Sequence, residues 1–237
     1  VVPALDAEYS LGLMPLRGLL RSSSHEQPAL VGAFILADEA DFQVLIAAVA
    51  SADNYECFRV SANHIYVERL HSAPQLLSTD LVASTEQPAL PSALWIVGGL
   101  GSLGLELAKE RVRQGACQLL LTGRNTGLQE STALALADLR AAGADIYVEA
   151  VDVSDYSALH QLASRFGKDL PAIDAIIHAA GVSEFRPVTA LTRNDLDKLC
   201  RAKIAGGWNL HRISEEFPVN HFILYSDLNV GKRTNLF

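Results

Sequence analysis

Alternation of short apolar segments with amphipathic helical stretches is the feature that most constrains the fold of this chain. After residue 92, five apolar segments are separated by stretches whose apolar residues recur with helical spacing. Buried parallel strands are apolar throughout, and each needs a crossover helix, so this alternation predicts a doubly wound parallel α/β sheet. The strands are predicted at 93–97, 117–121, 146–151, 173–178 and 222–225, and the helices at 103–114, 131–142, 155–166 and 195–217, the last capped by Thr192.

The first 70 residues predict a second, smaller α/β unit. A helix is expected at 11–21, a buried strand at 29–37, a helix at 38–52 and two further strands at 55–60 and 64–70. Residues 71–92 are rich in Ser, Thr and Pro without a sustained period, which is typical of a linker. The chain of 237 residues therefore divides into a small α/β unit (1–70), a linker (71–92) and a main domain (93–237).

Composition excludes several classes of function. With 49% hydrophobic and 19% charged residues the chain is globular, and its net charge of −8 disfavours nucleic acid as a partner. The cysteines (Cys57, Cys117 and Cys200) lack the paired spacing of a metal site, so we expect no metal and a reducing, cytoplasmic location. The uncharged stretch 87–105 is broken by two prolines and four glycines, so no membrane span is expected. The chain opens Val-Val-Pro without a leader pattern, and the absence of an initial Met indicates a fragment.

A glycine-rich loop between the first strand and helix of the main domain is the first chemical signal. A tight turn, a close backbone approach and the free N–H groups of a helix N-terminus together bind a pyrophosphate. The spacing Gly98-x-x-Gly101-x-x-Gly104 is wider than the usual G-x-G-x-x-G pattern, and a turn needed only for packing is the alternative. The candidate cofactor-binding residues of the loop are Gly98, Gly99, Leu100, Gly101, Ser102, Leu103 and Gly104.

The end of the second strand indicates which dinucleotide is bound. Folds specific for NAD place a carboxylate there, against the ribose 2′-hydroxyl. This segment reads Thr122-Gly123-Arg124 and has no acidic residue. A guanidinium can pair with a 2′-phosphate, so the pattern favours NADPH, although an arginine solvated in a loop is the alternative.

The ends of the third and fourth strands supply further candidates. Asp152 and Val153 follow the third strand at the edge where ligands of such sheets lie, and Asp152 could accept from an adenine amino group or only cap a helix. The fourth strand ends in a short, small-residue segment that suits a backbone lying against a cofactor. These residues are His178, Ala179, Ala180 and Gly181, and a histidine satisfied within the core is the alternative for His178.

These motifs together resemble the ketoreductase domains of modular polyketide synthases, which belong to the short-chain dehydrogenase/reductase superfamily. GGLGSLG after LWIV, LLLTGR, VDVSD, IIHAAGV, LTRNDLDKLCRAKIAGGWNLH and HFILYS occur in the family's order and spacing. Residues 93–226 resemble the catalytic subdomain. LRGLLRSSSHEQPALVGAFIL and YVERL resemble the preceding structural subdomain, a degenerate Rossmann-like copy of the same fold.

The resemblance implies roles for particular residues. Gly98 to Gly104 would hold the pyrophosphate of NADPH, Arg124 the 2′-phosphate, Asp152 the adenine, and Ala179 to Gly181 the nicotinamide ribose. In this family a Tyr protonates the nascent alkoxide, a Ser holds the carbonyl oxygen, and a Lys and an Asn support the Tyr. Lys203 corresponds to the active-site lysine, whose charge favours a tyrosinate.

The residues after the last strand depart from the family pattern. Asp227 stands where the family has its catalytic Ser, which leaves the preceding Ser226 as the candidate, and the expected Tyr and Asn have no counterpart before Phe237. Tyr225 and Asn229 spell Tyr-x-x-x-Asn, but Tyr225 lies within the predicted strand. The resemblance therefore implies a C-terminally truncated sheet, a catalytically incomplete chain and an apolar face left without its covering layer.

The predicted function is NADPH-dependent reduction of a β-ketoacyl thioester to its β-hydroxyacyl form. The substrate would be carried by the phosphopantetheine of an acyl carrier protein, beside neighbouring polyketide synthase domains. One alternative is a remnant that scaffolds those domains and binds NADPH without turnover. Another is a free-standing reductase of small metabolites, which the additional unit before residue 93 disfavours.

Overall fold

The computed structural model describes residues 2–3, 7–29, 33–37, 42–52, 56–62, 64–67, 91–115, 118–127, 129–181 and 186–225. These residues fall into two compact units. The described residues up to 67 and the segment 186–191 make the first unit, and 91–181 with 192–225 make the second. The predicted linker 71–92 lies almost wholly outside the described residues.

The first unit contains a small sheet of four strands in the order β1-β2-β3-β4. Strands β1 to β3 are parallel, and β4 runs antiparallel to β3. Buried residues of β2, α2 and β3 form its core, among them Ile35, Ala48 and Phe58. The elements are β1 (Val2–Pro3), α1 (Ala7–Glu26), β2 (Ala33–Ala37), α2 (Phe42–Ala50), β3 (Glu56–Ser61) and β4 (His64–Val67), so α1 is longer than the predicted helix 11–21.

A short segment from much later in the chain belongs to this first unit. The 3-10 turn Val188–Ala190 lies beside the end of α1, where the Val188 N–H donates to the Glu26 carboxylate at 2.6 Å. The sequence pattern did not indicate this pairing, because the partners are separated by 162 residues.

The second unit is a five-stranded parallel sheet in the order β7-β6-β5-β8-β9. This arrangement confirms the predicted doubly wound α/β fold. Strand β5 is buried along its whole length, as expected for a central strand of a parallel sheet. The elements are β5 (Ala93–Val97), α3 (Ser102–Arg113), β6 (Gln118–Gly123), α4 (Glu130–Ala141), β7 (Asp145–Ala150), α5 (Tyr156–Ala163), β8 (Ala175–His178), α6 (Arg193–Cys200), α7 (Gly206–Glu216) and β9 (His221–Leu224).

Alternate side chains of the central strand enter two separate cores. Leu94 and Ile96 pack with buried residues of α3 and α4 on one face of the sheet. Trp95 and Val97 pack with buried residues of α5 and α7 on the other face. The period of two along a strand thus produces the two helix layers of the unit.

The predicted helix 195–217 is interrupted. Its start is confirmed, since the Thr192 hydroxyl accepts from the Asp195 N–H and the Asp195 carboxylate accepts from the Thr192 N–H. A π-helical turn, Arg201–Ala205, then separates α6 from α7. The prediction of a continuous α-helix was therefore wrong. The spacing of apolar residues does not reveal a single π-helical turn within a helical segment.

The strand order places a switch point at the carboxyl end of the sheet. The chain leaves β5 toward α3 on one face and continues from β8 to α7 on the other. Adjacent parallel strands whose connections diverge in this way form the switch point where ligands of open α/β sheets bind.

Candidate functional site

The glycine loop makes a tight turn directly after β5. The N–H groups of Gly98 and Gly99 both donate to the Thr122 carbonyl, at 2.8 and 3.1 Å, and the Gly101 N–H donates to the Gly98 carbonyl at 3.1 Å. Gly98 has a φ of +82°, which an L side chain rarely adopts. The first α-helical bond of α3 joins the Leu105 N–H to the Gly101 carbonyl, so the preceding N–H groups of the helix have no intrahelical acceptor.

Close packing explains why this turn requires glycine. A Cβ on Gly98 would stand 2.6 Å from the Ala180 nitrogen, and one on Gly104 would stand 2.6 Å from the Gly99 Cα and collide with the Gly98 oxygen. A Cβ on Gly101 would meet only the Gly98 oxygen, at 3.4 Å, and Gly101 and Ser102 are exposed. The loop therefore packs closely on the rest of the protein at Gly98 and Gly104 and is exposed at Gly101 and Ser102, as a phosphate-binding loop requires.

The end of β6 has one buried and one exposed candidate. The Thr122 side chain is fully buried, and its hydroxyl accepts from the Trp95 indole N–H at 2.9 Å. Thr122 thus holds the glycine turn through its carbonyl, and its side chain lies in the core. Arg124 is exposed just beyond Gly123, whose carbonyl accepts from the Val151 N–H at 2.9 Å.

Asp152 lies at the same edge of the sheet as Arg124. Its carboxylate accepts from the Ser154 N–H at 2.9 Å and from the Ser154 hydroxyl at 2.8 Å. These bonds, the backbone one first, together with the positive charges of Arg124 and Arg201, hold the pKa of Asp152 below its ordinary value. Asp152 is therefore an ionised acceptor at neutral pH.

Val153 is tied to α7 by a residue that the sequence analysis did not single out. The buried Asn209 side chain donates to the Val153 carbonyl at 3.1 Å. Gly206, one turn earlier, leaves no room for a side chain, since a Cβ there would stand 2.6 Å from a Val153 methyl group. The sequence did hold a signal for this contact, namely that the polar Asn209 stands next to the apolar Leu210 in a helix that packs on the sheet.

Asn209→Ala is expected to destabilise the second unit by about 1–3 kcal/mol, because the buried Val153 carbonyl loses its partner. Urea unfolding followed by circular dichroism measures the change. Asn194→Ala, at an exposed position in α6, is the matched control and should change the free energy of unfolding by less than about 0.5 kcal/mol. Equal effects of the two substitutions would contradict the assignment.

The segment after β8 lies against the glycine loop. The Ala179 N–H donates to the Val97 carbonyl at 2.8 Å, and Ala180 is the residue that a Cβ on Gly98 would strike. His178 is 4% exposed, and its Nε2 lies 3.0 Å from the Ala202 carbonyl oxygen. Burial lowers the pKa of His178 below its ordinary value, the bond to Ala202 opposes this, and the Lys203 charge adds to it.

Lys203 lies beside the same segment. It occupies the middle of the π-helical turn, and its Cε is 3.0 Å from the point where a Cβ on Gly181 would stand. The structure therefore brings together Lys203, Gly181 and the glycine loop, which are far apart in sequence. Ser226 lies outside the described residues, as does Asp227.

Within the described part of the chain, the search for metal or membrane features gives negative results. No group of three or more His, Cys, Asp or Glu residues is arranged to hold a metal ion. No helix there combines the length and apolar character that a bilayer crossing requires.

Comparison with known proteins identifies the family. The sequence profile of the KR domain matches residues 92–230. A 6-methylsalicylic acid synthase of Arthrobotrys oligospora is 31% identical over 231 residues, covering 92% of this chain and 13% of that protein. A phenolphthiocerol synthesis polyketide synthase of Mycobacterium bovis is 35% identical over 134 residues, covering 56% of this chain and 6% of that protein.

Solved structures agree with the sequence comparison. An A-type ketoreductase from a modular polyketide synthase has 29% identity and a TM-score of 0.75, covering 89% of this chain and 44% of that chain. An A1-type ketoreductase has 28% identity and a TM-score of 0.76, covering 90% of this chain and 44% of that chain. The chain thus spans less than half the length of these structures and about an eighth of the synthase from Arthrobotrys.

The fold and these matches identify the chain as a domain of a Rossmann-like oxidoreductase family. The chain belongs to the ketoreductase (KR) domain family of modular polyketide synthases, as the sequence motifs had indicated.

Proposed function

We propose that this domain binds NADPH along the carboxyl edge of the large sheet and serves the reduction of a β-ketoacyl thioester. The observation that carries the proposal is the meeting of three segments at the switch point. The turn at Gly98 packs on Ala180, and Lys203 lies against the adjacent Gly181. In this arrangement the glycine loop would hold the pyrophosphate of NADPH, and the segment beside Lys203 would hold its nicotinamide half.

The residues present fit the charged groups of NADPH, which are its pyrophosphate and its 2′-phosphate. The open N–H groups at the start of α3 suit the pyrophosphate, and Gly101 leaves the space above them free. Exposed Arg124 suits the 2′-phosphate, and the ionised Asp152 beside it suits the adenine amino group. When bound, NADPH supplies a hydride to the substrate carbonyl.

Lys203 contributes a positive charge beside the segment that ends β8. Its ammonium would stabilise a negatively charged oxygen at the switch point, whether on a neighbouring phenol or on the substrate. His178 is buried and Ala180 packs on Gly98, so the segment that carries them would form a closely packed floor for a bound cofactor and limit access of water from that side. The roles proposed for these three residues rest on their positions and, for Lys203, on its charge.

The relatives support the substrate class. Both curated relatives are named as synthases, one of 6-methylsalicylic acid and one of the phenolphthiocerol pathway. We infer that the substrate is a β-ketoacyl group on the phosphopantetheine of an acyl carrier protein, delivered beside neighbouring synthase domains.

A second candidate function is a domain that binds NADPH without turnover and scaffolds its neighbours. Asp227 favours it, because a carboxylate stands where the family has the catalytic Ser. A carboxylate there would repel the negative charge that develops on the substrate oxygen. Both candidates share the same NADPH site.

Arg124→Ala is expected to weaken NADPH binding by about ten- to a hundredfold and to leave NADH binding within about threefold, because a charge-assisted bond is worth about 1.5–3 kcal/mol. Calorimetric titration with both cofactors measures the preference. Arg113→Ala is the matched control, since Arg113 ends α3 at the opposite edge of the sheet. A loss of NADPH and NADH affinity to the same degree would contradict the 2′-phosphate role of Arg124.

Consumption of NADPH with a β-ketoacyl thioester, followed by absorbance, separates the two candidate functions. Oxidation that depends on the thioester supports the reductase. Binding of NADPH by calorimetry without oxidation supports the scaffold. Failure of NADPH to bind at all would overturn both candidates.

A further inference from the structure

We propose that His178 is a positioning residue that holds the Lys203 turn in place through a hydrogen bond from its imidazole to the Ala202 carbonyl. The inference rests on the proposed function in one respect, namely that Lys203 faces the bound cofactor. The geometry itself is independent of that function, because it joins the end of β8 to the π-helical turn.

The direction of the hydrogen bond is fixed by its acceptor. A backbone carbonyl can only accept, so the His178 Nε2 at 3.0 Å from the Ala202 oxygen must carry the proton. The ring is buried, and its other nitrogen, Nδ1, has no hydrogen-bond partner in the described residues. Burial lowers the pKa of His178, so the neutral Nε2–H tautomer is the form that occupies this place.

The acceptor belongs to the turn that carries the lysine. In the π-helical turn Arg201–Ala205 the Gly206 N–H reaches back to the Arg201 carbonyl, one residue further than in an α-helix. Such single turns are uncommon and occur frequently at functional sites. The bond from His178 gives a carbonyl of this turn a partner that comes from the sheet.

The histidine ring also lies near the start of α7. A Cβ on Gly207, the second residue of α7, would stand 3.9 Å from the His178 Cδ2, so the glycine leaves room beside the ring. Ala202 is held by the ring, and the next residue, Lys203, has its Cε close to Gly181. His178 and Gly181 are separated by only three positions, so the two contacts hold the lysine from the same strand end.

Two substitutions separate the hydrogen bond from the space that the ring fills. His178→Gln keeps an N–H donor at about the reach of Nε2, whereas His178→Leu fills similar space without a donor. Both remove the unpartnered Nδ1. A role through packing alone would leave the two variants alike, and a role through the hydrogen bond would make the glutamine variant resemble the original chain.

The direct readout is the reactivity of Lys203 in the full chain. Competitive acetylation with acetic anhydride, quantified by mass spectrometry, is compared with the exposed Lys198 of α6 as an internal control. In His178→Leu, we expect Lys203 to react about two- to tenfold faster relative to Lys198 than in the original chain, because the loss of one hydrogen bond has a net effect of about that size. In His178→Gln, the relative reactivity of Lys203 should stay within about twofold of its value in the original chain. NADPH affinity, measured by calorimetry, should fall in the same order.

Equal Lys203 reactivity in the leucine and glutamine variants would overturn the proposal. If His178→Leu does not fold, ¹⁵N NMR of the unsubstituted chain decides, because an Nδ1–H tautomer or a charged ring would contradict the bond to Ala202. Absence of NADPH binding in the unsubstituted chain would overturn the proposed function alone. The reactivity and tautomer measurements would then still support or overturn the role of His178.

Discussion

Gly98→Ala is expected to abolish measurable NADPH binding and to destabilise the second unit by about 2–5 kcal/mol. Part of this cost is the positive φ of +82°, which is worth about 1–2 kcal/mol for an L residue. The rest is overpacking, at about 1–3 kcal/mol, because the new methyl group would lie 2.6 Å from the Ala180 nitrogen and 2.9 Å from the Ala179 carbonyl carbon. Relief of that contact would separate the glycine loop from the segment after β8, which together form the proposed cofactor site.

Gly115→Ala is the matched control for Gly98→Ala. Gly115 also has a positive φ, of +101°, but a Cβ there would meet no atom within 4 Å. The control should therefore cost only about 1–2 kcal/mol and leave NADPH affinity unchanged. Urea unfolding and calorimetric titration measure both variants. If the two substitutions had the same effect on NADPH affinity, the contact between Gly98 and Ala180 would have no part in binding.

Trp95→Ala is expected to destabilise the second unit by about 3–5 kcal/mol, the range for removal of a buried tryptophan. Trp95 is fully buried, and its ring packs edge-on against Phe166 with centroids 5.5 Å apart. Its indole N–H also pairs with the Thr122 hydroxyl, which would be left buried without a donor. The Thr122 carbonyl accepts from the N–H groups of Gly98 and Gly99 in the glycine turn, so the loss is expected to loosen the turn as well.

The two tryptophans of the chain provide their own comparison. Trp208 is 56% exposed on α7, so Trp208→Ala should change the free energy of unfolding by about 0.5 kcal/mol or less. Unfolding is followed by far-ultraviolet circular dichroism, because both substitutions alter fluorescence. A similar midpoint shift for both variants would mean that the core around β5 does not depend on the indole.

The strands were predictable because their physical signal is local. β5 has the predicted bounds, because a central strand buried on both faces is apolar along its length. The edge strands β7 and β9 begin one residue before their predicted bounds. The Thr192 cap was predictable for the same reason, as its partner is only three residues away.

The contacts that complete the site were not readable from local pattern. Asn209 bonds a carbonyl 56 residues away, and His178 bonds one 24 residues away. The inward direction of the Thr122 side chain depends on Trp95 of the neighbouring strand. The π-helical turn at Lys203 is not marked by any residue type that distinguishes it from the helices on either side. Such features depend on pairing between elements, whereas propensity and periodicity describe one element at a time.

The roles assigned to individual residues differ in what supports them. For Gly98, Gly104 and Gly181 the support is steric, because a side chain on Gly98 or Gly181 would meet another segment and one on Gly104 would meet the turn itself. For Arg124 and Asp152 it is electrostatic, since both lie at the same edge and the positive charge of Arg124 helps to lower the pKa of Asp152. For Ser226 it remains a prediction from sequence.

The most direct test of the central claim is an NMR titration of the full chain with NADPH, in which backbone amide shifts locate the binding site. The proposed site predicts saturable shifts at Gly98 to Gly104, at Asp152 and Val153, and at Ala179 to Gly181. It predicts none at Gly115 or Gly143, which follow α3 and α4 at the opposite edge of the sheet. Absence of shifts, or shifts confined to other residues, would contradict the account.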